Sequence, residues 1–204
     1  MKFNPSTHIP VMEHFYTIQG EGFYTGHAAY FIRLAGCDVG CVWCDVKESW
    51  TVEEKQLMLI DDLLHEVLKY PGRLVVITGG EPLMYDLSFL TQTLKANGFQ
   101  INIETSGAYP ISGELDWICV SPKKFKAPLK EVLAKANELK CIIFNKSDFE
   151  FAEQNCLLAT KDCVLYLQTE WSKQEQMLPL MIDYVKANPQ WKISLQTHKY
   201  LNIP

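Results

Sequence analysis

Seven short apolar runs, separated by helix-like segments, constrain the fold of this chain more than any other feature of its sequence. Each run is four to six residues long and most are apolar throughout, which fits parallel strands buried on both faces better than half-exposed strands. Alternation of such strands with helices predicts an α/β fold built on a parallel sheet. The runs cover residues 29–34, 74–78, 101–104, 117–120, 140–144, 164–168 and 192–196.

Four segments between these runs carry apolar residues at helical spacing. In the first, Leu63, Leu64 and Val67 share one helix face. Gly98 follows the second, where the left-handed end of a helix favours a residue without Cβ. The predicted helices are residues 60–70, 86–97, 129–137 and 174–186, and Pro179 lies near enough to the start of the last to be tolerated.

The length of the chain limits the architecture. A complete eightfold barrel takes about 250 residues, whereas this chain has 204 and no linker rich in Pro, Gly or Ser. We therefore expect an incomplete, TIM-like barrel of parallel strands forming a single domain over residues 1–204. In such folds the active-site groups lie at the carboxyl ends of the strands. Polar residues of interest follow five of the predicted strands, at Cys37 and at residues 78–81, 104–107, 121–123 and 168–171.

Composition excludes several classes of protein. The hydrophobic fraction of 48% argues against disorder, and 19 Lys+Arg against 24 Asp+Glu give a net charge of −5. A broad basic face for nucleic acid is therefore not expected. No apolar run approaches the roughly 20 residues that cross a bilayer. The residues before the first predicted strand lack the apolar stretch of a secretory signal, so we do not expect one. We expect a cytoplasmic protein, not bound to membrane, whose partner is a small molecule.

Three of the seven cysteines stand close together. Cys37, Cys41 and Cys44 have the spacing C-x3-C-x2-C, and Gly36 and Gly40 allow the loop to wrap tightly around an inorganic group. An odd number of cysteines in a chain expected to be intracellular favours metal binding or redox chemistry over disulfides. The other four are expected to be structural: Cys119, Cys141, Cys156 and Cys163.

The cysteine spacing leaves three interpretations. A structural zinc site needs a fourth ligand that the sequence does not supply at finger spacing. A redox pair of Cys41 and Cys44 leaves Cys37 unexplained. Three ligands to a [4Fe–4S] cluster leave one iron open for a small molecule. The spacing, with an aromatic residue before Cys44, resembles the signature of the radical S-adenosylmethionine (radical SAM) superfamily, in which that iron is chelated by the amino and carboxylate groups of the cofactor.

A second motif, Thr78-Gly79-Gly80-Glu81-Pro82, ends the second predicted strand. Alone it is equally well a strand-to-helix turn, because glycines serve such turns. Together with the cysteines it resembles the radical SAM segment that binds the amino group of the cofactor, with Glu81 as hydrogen-bond acceptor.

Four further segments narrow the resemblance. Residues 15–22, 103–107, 120–123 and 195–204 look like the 7-carboxy-7-deazaguanine synthase family of queuosine biosynthesis, and the likeness spans residues 13–204. It implies conversion of 6-carboxy-5,6,7,8-tetrahydropterin to 7-carboxy-7-deazaguanine with loss of ammonia. A 5′-deoxyadenosyl radical would take hydrogen from C6 and later return it. The resemblance also implies magnesium, a flavodoxin-like electron donor and a homodimer.

The implied site residues suit this chemistry. Gln19, Glu21 and Glu104 match the donors and acceptors on the edge of a pterin, and the planar fork of Arg33 suits a carboxylate. Alternatively, Arg33 faces solvent or pairs with Glu21, and Lys123 belongs to a solvated basic loop. His198 is otherwise an ordinary surface histidine. The implied substrate contacts are Ile18, Gln19, Gly20, Glu21, Arg33, Thr78, Glu104, His198 and Pro204; the implied cofactor contacts are Trp43, Gly80, Glu81, Ser121, Lys123, Gln168, Thr169, Glu170 and Trp171.

One position departs from the family pattern. Many members carry Thr or Ser two places after the last cluster cysteine as a magnesium ligand, whereas this chain has Val46. We expect either that magnesium is held by substrate and water, with Asp45 as an outer partner, or that the requirement for magnesium is weakened. Two other functions remain open at this point: a glycyl-radical activating enzyme, which would share the cluster, and a non-catalytic binding module stabilised by metal.

Overall fold

The computed structural model describes residues 4–44 and 46–204, and a nine-stranded sheet runs through these ranges. The order across the sheet is β3-β1-β2-β4-β5-β6-β7-β8-β9. The strands are β1 (His8–Ile18), β2 (Ala28–Leu34), β3 (Leu57–Leu59), β4 (Leu74–Gly79), β5 (Gln100–Thr105), β6 (Trp117–Val120), β7 (Glu138–Ile143), β8 (Val164–Thr169) and β9 (Trp191–Ser194).

The seven predicted strands form the parallel part of the sheet. They are β2 and β4 to β9, and each pairs in parallel with the next, so the predicted parallel sheet is confirmed. The strands β1 and β3 were not predicted and add an antiparallel edge. β1 escapes the apolar-run criterion because polar residues such as His8, Glu13 and His14 interrupt it, and its second half is only partly buried.

The helices follow the sequence pattern less closely. Three of the four predicted helices are confirmed as α1, α2 and α5, and Gly98 after α2 has the expected left-handed backbone, with φ +78°. The third prediction yields only one turn, α3. The helix α4 was missed because Ala152 is the only apolar residue that it buries, so it lacks an apolar stripe. The helices are α1 (Ile60–Leu68), α2 (Ser88–Ala96), α3 (Lys130–Leu133), α4 (Ser147–Cys156), α5 (Gln174–Ala187) and α6 (Thr197–Leu201), with 3-10 turns at Lys47–Trp50, Glu54–Gln56, Pro82–Met84 and Trp171–Lys173.

One apolar core joins the sheet to its helices, from Ile9 in β1 to Trp191 in β9. The sheet does not close, since β3 and β9 are its two edges in the described ranges. The expected partial barrel is therefore confirmed. The segment after β9 folds back to the end of β1, where the Thr197 amide donates to the Gly20 carbonyl at 2.9 Å. Across the described residues, no helix has the length and apolar character needed to span a membrane.

Candidate active site

A cavity of about 290 Å³ lies at the carboxyl ends of the parallel strands, as the polar strand ends predicted. We refer to residues 36–44 as the cysteine loop and to Gln19, Glu21, Glu104 and Lys140 as the carboxylate cluster. Both line this cavity. Of the predicted site residues, all except Glu81 line it: Ile18, Gln19, Gly20, Glu21, Arg33, Cys37, Cys41, Trp43, Cys44, Thr78, Gly80, Glu104, Ser121, Lys123, Gln168, Thr169, Glu170, Trp171, His198 and Pro204.

The cysteine loop turns through two glycines in the left-handed region, Gly36 at φ +96° and Gly40 at φ +74°. The loop is fixed at its start, where the Cys37 amide donates to the Trp50 carbonyl at 3.2 Å. Burial raises the pKa of Cys37, although the Val39 amide opposes this by donating to its sulfur. Burial likewise raises the pKa of Cys41 to about 11. These thiols therefore ionise at neutral pH only when a metal displaces their protons.

The three thiols fit an iron–sulfur cluster better than a single ion. Among residues 4–44 and 46–204, no three His, Cys, Asp or Glu side chains converge as ligands of one metal ion. A zinc site requires such convergence, because all its ligands contact the same ion at about 2.0 to 2.3 Å. A [4Fe–4S] cluster binds each thiolate through a different iron, so its ligands stand further apart. Cys37, Cys41 and Cys44 all line the cavity, and a backbone N–H donates to the sulfur of Cys37, as cluster sulfurs favour.

Gly80, directly after β4, packs against the cysteine loop, and Gly79, the last residue of β4, packs against Leu34 at the end of β2. A Cβ at Gly80 would lie 2.2 Å from the Gly36 carbonyl oxygen and 2.8 Å from Cys37 Cβ. A Cβ at Gly79 would lie 2.2 Å from the Leu34 carbonyl oxygen. The Glu81 amide donates to the Gly36 carbonyl at 2.9 Å. The missing side chain at Gly80 therefore allows the loop after β4 to lie directly against the cysteine loop.

The prediction for Glu81 needs correction. Its side chain is fully buried and does not line the cavity. Its carboxylate accepts four hydrogen bonds: from the Leu83 amide, the Thr105 hydroxyl, and both the amide and hydroxyl of Ser106, at 2.5 to 3.0 Å. All its lone pairs are therefore used in joining the loop after β4 to the loop after β5, and none is left for a cofactor ammonium.

The carboxylate cluster lines one part of the cavity, which we call the carboxylate end, and the cysteine loop lines the part that we call the cysteine end. Gln19 Nε2 donates to Glu104 Oε1 at 2.9 Å, and Lys140 Nζ bridges Glu104 Oε2 at 3.0 Å and Glu21 Oε2 at 2.5 Å. Burial would raise the pKa of Glu21, but the charge and hydrogen bonds of Lys140, with bonds from Gln196 and Gln168, lower it to about 2. The structure therefore brings the three predicted pterin readers together and adds a cation between them.

Sequence reasoning missed Lys140, which lies in a predicted apolar strand. Its side chain is only 3% exposed. A signal was present, because a lysine in a strand buried on both faces must find acidic partners or lose its charge. The sequence does not say which acids these are. They come from the segment after β1 and from β5, which only the folded sheet brings next to β7.

Arg33 lines the cavity from β2 and pairs with Glu13. Its Nε donates to Glu13 Oε1 on the neighbouring strand β1 at 2.6 Å. It does not pair with Glu21, whose partner is Lys140. The bond through Nε fixes the guanidinium while its side chain stays 22% exposed, facing the cavity.

The basic loop after β6 packs on the cysteine loop. Lys123 Nζ donates to the Ser121 carbonyl at 2.8 Å and lies 5.5 Å from the centre of the Trp43 ring. Lys126 Nζ contacts Asp38 Oδ2 at 2.8 Å. Burial lowers the pKa of Lys123. This part of the basic run is therefore not simply solvated.

The loop after β8 contributes the remaining predicted residues. Gln168 is buried and accepts from the Ser194 hydroxyl at 2.7 Å, whereas Glu170 caps the next turn through the amide and hydroxyl of Ser172. Trp171 packs edge-on against Tyr200. His198 packs against Gly20, where a Cβ would lie 2.3 Å from His198 Nδ1.

The four remaining cysteines lie outside the cavity lining. Cys119, Cys141 and Cys163 are buried, and Cys156 is half-buried at the end of α4. Burial raises the pKa of each of the four. These thiols are therefore protonated and inert at neutral pH, in agreement with the structural role that was predicted.

Val46 lines the cavity, and its carbonyl accepts a hydrogen bond from the Ser49 hydroxyl at 2.7 Å. Its side chain offers no oxygen to a metal ion. Asp45, the predicted outer partner of magnesium, lies outside the described residues.

Comparison with known proteins agrees with this geometry. A model of the Radical SAM superfamily matches residues 31–139, a range that contains the whole cysteine loop and the glycines after β4. The parallel partial barrel and the three-cysteine loop therefore define a radical SAM enzyme. This class implies a [4Fe–4S] cluster and S-adenosylmethionine.

More specific relatives share nearly the whole chain. The 7-carboxy-7-deazaguanine synthase of Flavobacterium psychrophilum is 57% identical over 196 residues, covering 96% of this chain and 93% of the relative. That of Escherichia coli K12 is 40% identical, covering 95% and 98%. The crystal structure of QueE from Escherichia coli superposes with a TM-score of 0.83 at 35% identity, covering 92% of this chain and 93% of that one. The chain belongs to the 7-carboxy-7-deazaguanine synthase family.

Proposed function

We propose that this enzyme converts 6-carboxy-5,6,7,8-tetrahydropterin to 7-carboxy-7-deazaguanine with loss of ammonia, in the queuosine pathway. The observation that carries the proposal is that one cavity holds both a three-cysteine loop and a cluster of carboxylates. The first suits a radical-generating cofactor, and the second suits a nitrogen-rich ring. A glycyl-radical activating enzyme would need the first but not the second.

Cys37, Cys41 and Cys44 are assigned as the cluster ligands. When bound, the cluster and S-adenosylmethionine supply the radical that removes hydrogen from C6 of the pterin. The chain orients these groups: Gly80 lets the loop after β4 lie against the cysteine loop, and Trp43 with Lys123 forms the adjoining wall. The loop after β8, with Gln168, Thr169, Glu170 and Trp171, borders the same cavity and completes the proposed cofactor contacts.

The part of the cavity that the carboxylate cluster lines is assigned to the substrate. Gln19, Glu21 and Glu104 present amide and carboxylate groups to the pterin ring, and Arg33 meets the substrate carboxylate with its planar guanidinium. Fixing Arg33 through Glu13 reduces the entropy lost when it binds. Ile18, Gly20, Thr78, His198 and Pro204 border this region.

Further parts of the proposal rest on the family. We propose that residues 1–204 form one catalytic domain, that magnesium is held by substrate and water, and that the enzyme works as a cytoplasmic homodimer with a flavodoxin-like electron donor. The large apolar core that extends from Ile9 in β1 to Trp191 in β9 supports the first statement. Light scattering tests the dimer, and exchange of electron donors in the assay tests the donor.

An anaerobic assay tests the function. The protein is reconstituted with iron and sulfide and given reductant, S-adenosylmethionine and the carboxy-tetrahydropterin, and 7-carboxy-7-deazaguanine is sought by mass spectrometry. We expect the product, together with a cluster absorption band. Deoxyadenosine without product would refute the substrate and leave the cofactor assignment intact. A reconstituted protein without the band would refute both.

A further inference from the structure

We infer that Lys140 is a positioning residue that keeps Glu21 and Glu104 ionised, so that this end of the cavity offers hydrogen-bond acceptors to the substrate ring. The inference rests on the proposed function, since it concerns the same cavity and the same substrate. It assigns a specificity-determining role to a side chain that does not itself need to contact substrate.

Every carboxylate oxygen of Glu21 and Glu104 has a protein donor, and Gln168 adds a further donor to Glu21. Lys140 Nζ donates to Glu21 Oε2 at 2.5 Å and to Glu104 Oε2 at 3.0 Å. Gln196 Nε2 donates to Glu21 Oε1 and Gln19 Nε2 to Glu104 Oε1, both at 2.9 Å. Because each carboxylate oxygen has two lone pairs, Glu104 retains two acceptor positions and Glu21 retains one. Glu21 and Glu104 keep 16% and 24% of their side-chain surface exposed, and both line the cavity.

Titratable groups on four neighbouring segments face Lys140. They are Glu21 after β1, Glu104 on β5, Cys119 on β6 and Glu138 on β7 itself. Without a cation, carboxylates this close would share a proton, because two like charges cannot both ionise at short range. The positive charge of Lys140 allows both Glu21 and Glu104, its two ion-pair partners, to be ionised at the same time.

Glu138 behaves differently from these two acids. Its Oε2 accepts from Trp117 Nε1 at 3.0 Å and from the Phe23 amide at 3.2 Å, and its buried Oε1 has no partner in the described part of the chain. Burial raises the pKa of Glu138. Two further titratable groups interact with the cluster or with Glu138: Lys123, whose pKa is lowered by burial, and Tyr166 on β8, whose pKa is raised by burial and by the charge of Glu138. Burial and the unpartnered Oε1 therefore favour the protonated form of Glu138, which does not line the cavity.

Ionised acceptors select a ring edge that donates. The aminopyrimidinone edge of a pterin carries an exocyclic amino group next to a ring N–H, and both can donate to Glu21 and Glu104. The corresponding 2-oxo ring places an oxygen where the amino group stood, so a carboxylate would face another acceptor. Sites built for hydrogen bonding reject such analogues strongly, since buried polar groups are left unpaired.

The test replaces Lys140 and measures both affinity and selectivity. Lys140→Met removes the charge, Lys140→Arg keeps it, and Lys192→Met is the matched control on an exposed lysine of β9. Calorimetry under anaerobic conditions gives the dissociation constants of the carboxy-tetrahydropterin and of its 2-oxo analogue from pH 5.5 to 8.5. Turnover is measured alongside with the pterin.

We expect Lys140→Met to weaken pterin binding by about 30-fold or more at pH 7, as loss of one partner of a buried charge pair does. Binding should recover as pH rises, because the carboxyl that takes up a proton in this variant ionises again. Selectivity against the 2-oxo ring should fall by at least about tenfold, since a protonated carboxyl can donate to an oxo group. Lys140→Arg should keep the pH profile and the selectivity of the wild type.

The inference would be overturned if Lys140→Met kept the affinity, pH profile and selectivity of the wild type. It would also be overturned if Lys140→Met and Lys140→Arg lost affinity for both ligands to the same extent at every pH. If Lys140→Met fails to fold, judged by circular dichroism, the wild type decides: equal binding of the pterin and its 2-oxo analogue also overturns the inference. A wild type that makes no deazaguanine refutes the proposed function instead, so the two failures are distinguishable.

Discussion

The two ends of the cavity are built in opposite ways. In the cysteine loop the backbone contacts the thiols, as the Val39 amide does at Cys37. The shape of this loop depends on its glycines and on close packing against the loop after β4. In the carboxylate cluster every charged oxygen of Glu21 and Glu104 already has a side-chain donor. The two regions therefore differ in when they become ordered. The cysteine loop becomes ordered when a cluster binds, whereas the carboxylate cluster is organised before the substrate binds.

The largest expected effect is the loss of product formation when a cysteine of the cysteine loop is replaced. Cys44→Ser removes one thiolate from a half-buried position, so product formation should fall below detection. The unfolding free energy of the metal-free protein should change by about 1 kcal/mol or less. Product analysis and urea unfolding of wild type and variant measure the two quantities. Substantial product from Cys44→Ser, with a cluster band of normal intensity, would show that this thiol is not a ligand.

Lowering the pH should remove the stabilising contribution of Glu21 in the carboxylate cluster. The pKa of Glu21 is about 2 in the folded chain and near 4.5 when unfolded, so its contribution of about 3 kcal/mol is complete above the unfolded value. It is lost as the pH falls from about 4.5 towards 2, because the unfolded chain binds the proton first. Urea unfolding across this range should show a shallower loss in Glu21→Gln than in the wild type. Glu114→Gln, an exposed acid, is the control and should follow the wild type.

A pair of glycine substitutions sharpens the comparison within the cysteine end. Gly80→Ala places a methyl group 2.2 Å from a backbone carbonyl, whereas the space at Gly40 is open within 4 Å. We expect Gly80→Ala to cost about 1 to 3 kcal/mol and to lower the iron bound after reconstitution. Gly40→Ala carries only the penalty of its left-handed backbone, about 1 kcal/mol. Equal iron content and stability in both variants would mean that the contact between the loops does not shape the cluster site.

The smallest expected effect concerns magnesium. Val46→Thr adds a hydroxyl at the position that the family resemblance assigns to a magnesium ligand. Magnesium should therefore stimulate this variant by a factor of about 2 to 5 more than the wild type, within the range of one neutral hydrogen-bond-strength contact. Turnover with and without magnesium, in both proteins, provides the measurement. Identical dependence on magnesium would exclude position 46 from the metal site.

The same contrast explains what could be predicted from the sequence. The cysteine loop and the glycine motif lie within fifty residues of each other, so their chemistry is visible in local spacing. The parallel strands were visible because apolar runs report burial on both faces. Lys140 and Glu13 act through partners on other strands, and Glu81 serves a loop rather than a ligand. Such roles depend on which strands become neighbours, which local pattern does not encode.

Pairing of β2 with β4 brings the cysteine loop and Gly80 together within the first eighty residues, whereas Lys140 meets Glu21 across 119 positions of chain. Contacts between near neighbours in sequence form quickly, and those between distant ones wait for loop closure. During synthesis, which proceeds from the N-terminus, the loop for an inorganic group can therefore be shaped while β7 is still unmade. The part of the enzyme that we assign to choosing its substrate is the later one to assemble.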